Sequence, residues 1–430
     1  MSTTTEIPVP ANAEGIGTAT STRGLLKTPI LFAVVTLLVL LLVALKSRRG
    51  ETTFRLAVDT DLFELPEVAV SSTAGTTTMV VLLAVCTAVS AVLVSRGRRT
   101  PLWLIAVFSV FAMTGFLCWA AAGEAVPVIG LLGGSIALAV PLVFGALGGV
   151  LGERAGVVNI AIDGQLLFGA FAAALIGSMA GSSWGGLVAA MLAGAMVALA
   201  LGFFTITYFV DQVIVGVVLN VLVIGLTSFL FSQVMAENPQ GLNNPPHFSR
   251  IPIPLLGEIP VVGPVLFRQT ILVYLMYAAV AVVAWALYRT KWGLRVRAVG
   301  EHPKAADTVG IKVNRTRYTT LLIGGLIAGA GGATYTLVAV PQFGREMTDG
   351  AGYIALAAVI FGRWDPIRAT LAALLFGFAT NLSGVLSVLG SPVPSQFMLM
   401  LPYIVTIVAV AGLVGHSRAP AADGIPYRKD

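Results

Sequence analysis

Of 430 residues, 11% are charged and 57% apolar, and the mean hydropathy of +0.91 exceeds what a water-soluble domain can hide in one core. This excludes a soluble enzyme, and it assigns the formal charge of +6 to short loops between membrane spans rather than to nucleic-acid binding. Cys86 and Cys118 both fall inside apolar stretches, so neither a disulfide nor redox chemistry is expected of them.

Residues 1–27 form a Thr/Ser/Pro-rich leader that reads as a disordered cytoplasmic tail, with no cleavable signal peptide. Residues 28–127 form an N-terminal extension with three predicted spans, at 29–45, 79–94 and 102–122. A permease-like core over 128–416 continues with 128–151, 165–179, 184–209, 212–235, 270–288, 318–340, a short run at 351–361, then 369–389 and 396–414. Residues 417–430 are a basic cytoplasmic tail. The fold class is an all-α polytopic membrane protein with about twelve candidate transmembrane segments, one of them a broken or re-entrant helix.

The loop 289–317 fixes an inside. It carries eight Lys and Arg against Glu301 and Asp307, between two predicted spans without a charged residue, and basic loops of this kind stay on the cytoplasmic side. Counting outward from it places Arg96, Arg98, Arg99, Arg363, Arg368, Arg418, Arg428 and Lys429 inside as well, provided the run at 351–361 crosses. Lys46, Arg48, Arg49 and Arg55 fall outside and break the rule. Within the loop, His302 to Gly310 reads as one short helix, with Pro303 in its first turn and Gly310 past its end. The connection 237–268 holds seven prolines, which makes it a stiff, ordered loop over the outer mouth. Glycines at 145, 148, 149 and 152, and at 324, 325, 329, 331 and 332, let helix backbones approach closely.

No phosphate-cradling loop, no H-E-x-x-H and no Cys cluster is present, so no catalytic residue, metal ligand or cofactor is assigned to this chain. The predicted core spans contain no Asp, Glu, Lys, Arg or His, which favours energy borrowed from a partner over an ion gradient. The polar interruption 152–165 reads as a break in a helix, the kind of backbone tolerated at membrane depth only where protein or a water path covers it. Asn159, Asp163, Gln165 and Asn220 are candidate path residues, and Phe204 is a candidate for stacking on a planar solute. An ordinary surface loop, amides that bond neighbouring helices and lipid-facing aromatics are the plainer alternatives.

Four stretches carry a family resemblance: GERAGVVNIAIDGQLLFGAF at 152–171, GEHPKAADTVGI at 300–311, MTDGAGYIALAAVIFGRWDP at 347–366 and APAADGIPYRK at 419–429. From 128 onward the chain resembles the permease subunits of bacterial ABC importers for branched-chain amino acids, simple sugars and nucleosides, and is most similar to the second permease of nucleoside-type importers. The resemblance implies that Glu301, His302, Pro303, Lys304, Ala305, Ala306, Asp307, Val309 and Gly310 form the coupling element on which a cytoplasmic ABC ATPase docks. It also implies a second related permease subunit, an extracytoplasmic solute-binding protein, ATP used by the partner ATPase, and a place in the bacterial cytoplasmic membrane with both termini inside. Asp163 and Gln165 stand where the family pattern has Glu and Met, and His302 where Asn is commoner. The alternatives are an ion-coupled secondary carrier, a simple-sugar permease or a membrane scaffold.

Overall fold

The computed structural model describes residues 26–45, 48–57, 65–391, 393–394, 396–397, 400 and 418–429. The leader 1–25 and almost all of the span expected at 396–414 lie outside the described residues. Among the described residues, ten helices are long and apolar enough to cross a membrane, and Ala351–Phe361 is a shorter apolar helix. These eleven coincide with predicted runs, and the twelfth is the one at 396–414. The chain divides into two compact units, one reaching to Val126 and the other from Pro127 onward, with residues 55–67 grouped in the second.

The first unit contains α1 (Lys27–Leu45), α2 (Ser72–Ser95) and α3 (Leu102–Ala120). Their packed faces meet around Phe32 and Phe108, whose rings stack at 3.8 Å, with Leu83, Cys86 and Leu104 buried beside them. The opposite faces expose Leu37, Leu38, Val81, Val85 and Trp103, as spans bordered by lipid do. Both cysteines are free and buried. The connections hold a small sheet that the apolar pattern did not announce, of order β2-β1-β3, from β1 (Glu51–Arg55), β2 (Val68–Ser71) and β3 (Ala125–Pro127). β1 and β2 are antiparallel, with Glu51 opposite Ser71 and Phe54 opposite Val68. Arg48, one of the residues that breaks the charge rule, donates from Nη1 to the Ala120 carbonyl at 2.9 Å, where the end of α3 offers unpaired acceptors.

The second unit begins with α4 (Val128–Arg154), α5 (Ile162–Ala180), α6 (Ser183–Gly202) and α7 (Gln212–Leu230). After the short α8 (Pro239–Leu242) and the strands β4 (Arg250–Pro252) and β5 (Arg268–Thr270) come α9 (Ile271–Arg289), α10 (Lys291–Glu301), α11 (Pro303–Thr308), α12 (Val313–Thr334), α13 (Ala351–Phe361) and α14 (Pro366–Val388). α12 packs against α4, α5 and α6, and α14 packs along α4. The glycines make this possible: a Cβ on Gly148 would stand 2.7 Å from the Gly324 carbonyl oxygen, and one on Gly324 the same distance from the Gly148 oxygen. With so little apolar contrast against lipid, this close backbone contact is the main source of packing energy.

The helices run past the apolar stretches at three places. α4 continues through Glu153 and Arg154, and α5 starts before Asp163, so the helical spans do include buried charged residues at their ends: Glu153, Asp163 and, on α12, Arg317. α6, α7 and α12 each end in a widened turn of π type, at Phe203–Thr207, Phe231–Met235 and Tyr335–Ala339. Such turns free backbone groups and recur near functional sites.

Candidate functional site

The break between α4 and α5 is built from its own amides. Gly152 accepts from both Ala155 and Val157, which ends α4, and Gly156 follows at φ 81°, a conformation that suits a residue without a Cβ. Asn159 and Gln165 exchange hydrogen bonds at 3.2 and 3.3 Å, and both are fully buried. Asn220 reaches across from α7: its Oδ1 accepts from the Gly164 amide at 2.8 Å, and its Nδ2 donates to the Ile160 carbonyl at 2.9 Å and the Tyr353 hydroxyl at 3.0 Å. Asp163 Oδ1 accepts from the Gly352 amide at 2.9 Å. Its carboxylate therefore lies in the first turn of α5 and caps the first turn of α13, where two helix N-termini favour negative charge. The backbones meet so closely there that a Cβ on Gly352 would overlap Asp163. An aspartate fits this gap.

Four of the five path candidates thus come together at the break: Asn159 and Gln165 bond each other, Asn220 bonds the backbone of the break, and Asp163 ties it to α13. Phe204 stands apart in the turn after α6, 44% exposed and edge-on to Phe203. None of the five lines the large cavity beside the break.

That cavity, of about 700 Å³, lies among α4, α9, α12, α13 and α14 and is closed on one side by the proline-rich connection. Its polar lining includes Arg250, Gln269, Thr348, Asp349, Thr380, Ser383 and Ser387, and Tyr335 and Phe248 add aromatic surface. Pairing of β4 with β5 sets Arg250 opposite Thr270 and Ile251 opposite Gln269, which brings the loop to the cavity. The Phe248 amide donates to the Leu337 carbonyl at 3.0 Å, so the loop is tied to the end of α12. Ahead of α13, Glu346 at φ 53° and Asp349 at φ 45° are left-handed without being glycine. Such strain persists where surrounding structure holds it, often at sites of function. The volume is in the range of about 300–1,000 Å³ that encloses small organic ligands.

Sequence reasoning passed over this lining because its members come from six separate segments. The sequence carries a signal in two places: the proline-rich loop over the outer mouth and the family motif at 347–366.

On the far side of the break lies the short helix α11. Pro303 occupies its first position, His302 precedes it without a side-chain cap, and Gly310 follows at φ 86°. Ala305 is exposed and Val309 is 75% exposed, whereas Ala306 is buried against Val299, Val313 and Tyr427. Glu301 accepts from the Ala421 amide at 3.2 Å, and Asp307 faces the Lys429 ammonium at 4.0 Å.

Residues 131–410 match the family described as the branched-chain amino acid transport system permease component. The chain belongs to this family. Among curated relatives, the permease is 42% identical over 304 residues to the guanosine ABC transporter permease protein NupQ of Bacillus subtilis, covering 69% of this chain and 95% of that protein. It is 37% identical over 300 residues to the nucleoside ABC transporter permease protein NupC of Lactococcus lactis, covering 67% and 93%. It is 35% identical over 304 residues to the putative glucose ABC transporter permease protein TsgC13 of Haloferax volcanii, covering 66% and 91%. No solved structure matches the chain. The family region starts at residue 131, so α1, α2 and α3 of the permease lie outside it.

Proposed function

We propose that the chain is a membrane-spanning permease subunit of an ATP-driven importer and forms part of the path for a nucleoside. The observation that carries this reading is the 42% identity across 95% of the guanosine permease NupQ. The cavity is consistent with it: Tyr335 and Phe248 offer flat apolar surface for a base, and Gln269, Thr348, Asp349 and Arg250 offer donors and acceptors for ring nitrogens and hydroxyls. The chain has no nucleotide-binding loop, so ATP is used by a cytoplasmic ATPase, for which the exposed side of α11 is the docking element. A second related permease and an extracytoplasmic solute-binding protein complete the assembly, with the proline-rich loop facing the binding protein. The assembly sits in the bacterial cytoplasmic membrane with α11 and the C-terminal tail inside.

In this reading ATP-driven closure of the ATPases pushes on α11, and the break between α4 and α5, with α13 beside it, opens the cavity to the other side. The test is uptake into proteoliposomes that hold the full assembly. Radiolabelled guanosine should enter with internal ATP, in the presence of an ionophore, and in competition with other nucleosides. Entry driven by an ion gradient without ATP would establish the secondary-carrier alternative and overturn the proposal. Glucose is the second solute to try, because the 35% identity to TsgC13 favours it; uptake of glucose but not guanosine would move the substrate class to sugars.

A further inference from the structure

Residues 418–429 have a role that neither the cavity nor the docking helix explains. Segments with few fixed contacts usually fray. This one has no helix or strand of its own, yet is pinned along its length. The Ala422 amide donates to the Gly300 carbonyl at 2.8 Å, and the Ala421 amide to the Glu301 carboxylate at 3.2 Å. Tyr427 is buried among Val299, Ala306 and Val313, so the tail forms one wall of the pocket that holds α11. Lys429 stands 4.0 Å from Asp307 on the last turns of α11, and the Arg428 guanidinium lies 4.9 Å over the ring of Phe209, between α6 and α7.

The same tail reaches the break. Arg317, in the first turns of α12 and 1% exposed, donates from Nη1 to the Ile425 carbonyl at 3.0 Å and from Nε to the Ala155 carbonyl at 3.2 Å. A Cβ on Gly156 would stand 2.8 Å from Arg317 Nη2 and 2.9 Å from the Ala422 carbonyl oxygen, so tail, arginine and break share one tight junction. Among the described residues, Glu153 Oε1, Arg317 Nη2 and Asp423 Oδ1 have no hydrogen-bond partner there. Burying an arginine is costly unless its surroundings meet the charge. Fold stability alone is better served by an apolar residue. A cross-link between two irregular backbone segments that moves as a unit is a use for which the forked guanidinium is suited.

We propose that residues 418–429 are a strap that passes displacement of α11 to the break between α4 and α5, with Arg317 and Tyr427 as its positioning residues. This rests on the reading of α11 as the docking element for the ATPase. When α11 moves, the tail moves with it through Tyr427 on Ala306 and Lys429 beside Asp307, the Gly300 and Glu301 contacts tie the tail to the end of α10, and Arg317 draws on the Ala155 carbonyl at the mouth of the break.

The experiment compares the assembled importer carrying Tyr427→Ala, Tyr427→Phe, a deletion of 419–430 and, separately, Ala305→Glu. For each, ATPase association, basal hydrolysis, solute-stimulated hydrolysis and uptake per ATP are measured. The strap predicts that Tyr427→Ala and the deletion keep association and basal hydrolysis within about twofold but lose tenfold or more of stimulation and of uptake per ATP, and that Tyr427→Phe retains at least half. If the deletion does not accumulate, Tyr427→Ala carries the test. A purely structural tail lowers the amount of complex but leaves uptake per ATP unchanged, and that result would overturn the proposal. Ala305→Glu separates the two readings: loss of association with a wild-type response in the Tyr427 variants sinks the strap alone. Normal association and stimulation in Ala305→Glu sinks the docking element, and the strap with it.

Discussion

Asn220→Leu is the most informative single change at the break, because it keeps the number and branching of the side-chain heavy atoms while removing three bonds at once. The bonds lost are those to the Gly164 amide at 2.8 Å, the Ile160 carbonyl at 2.9 Å and the Tyr353 hydroxyl at 3.0 Å. Hydrogen bonds between membrane helices contribute about 0.6 kcal/mol on average and about 1.7 at most. A buried backbone group left without its partner costs about 1–3 kcal/mol. The Gly164 amide is such a group, and the Ile160 carbonyl is partly so, whereas Tyr353 is 47% exposed and its hydroxyl is not left buried. The expected loss is about 2–4 kcal/mol, of which the bond to Tyr353 supplies about 0.5 or less. Unfolding of the purified chain in mixed micelles measures it, with Tyr353→Phe and the double variant closing a cycle. A loss below about 0.5 kcal/mol for Asn220→Leu would refute the idea that this amide holds the break, as would a Tyr353→Phe variant that is equally damaged.

At the crossing of α4 and α12, Gly324→Val places a branched side chain where a bare Cβ is already 2.7 Å from the Gly148 oxygen; a loss of about 1–3 kcal/mol or more is expected, read as a lower melting temperature in detergent. On α11, Ala306→Glu buries a charge against Val299, Val313 and Tyr427 and should reduce the yield of folded protein, whereas Ala305→Glu, on the exposed side, should leave the yield unchanged and cost ATPase association in pull-down. In the tail, burial pushes the Asp423 carboxyl up to about 7, against the opposing effects of the Gly424 amide and Arg317, with Glu153 nearby as a second acid. A carboxyl raised on docking favours the docked tail at low pH, and this contribution fades as pH rises through that value. A spin label at Arg418→Cys, with Cys86 and Cys118 replaced by Ala, should be more mobile at pH 8 than at pH 5, and Asp423→Asn should abolish the difference.

The spans were legible because a bilayer demands long apolar runs, and α11 was legible because Pro303 and Gly310 punctuate it locally. The glycine contacts were legible in kind, since clustered glycines in a span leave a backbone bare for a neighbour. What could not be read was which partner each polar group takes. Asp163 finds the amide of Gly352, 189 positions away, and Asn220 finds Tyr353, 133 positions away, and no local pattern encodes those distances. The cavity was hidden for the same reason: Arg250 and Gln269 meet there only because β4 and β5 pair, and Asp349 because a left-handed turn precedes α13. The small sheet of the first unit rests on connections of mixed composition, Glu51 to Arg55 and Val68 to Ser71, whose alternation is too short to separate from a loop.

On the proposed path, the length of α13 sets how much matter divides the two sides. It starts at the cavity, packs along the last turns of α4 through Gly145 and Gly149, and ends near Arg154, whose Nε donates to the Trp364 carbonyl at 2.8 Å. Its 11 residues rise about 16 Å, roughly half of a hydrocarbon core about 30 Å thick. A membrane potential falls across dry material, so with water in the cavity most of it is compressed into that half. An ion entering there would feel about 2.3 kcal/mol per charge for each 100 mV over a short distance, while a neutral solute crosses without electrical work. The insulator is thin, and the helix that forms it, AGYIALAAVIF, carries no charged residue that would draw an ion into it.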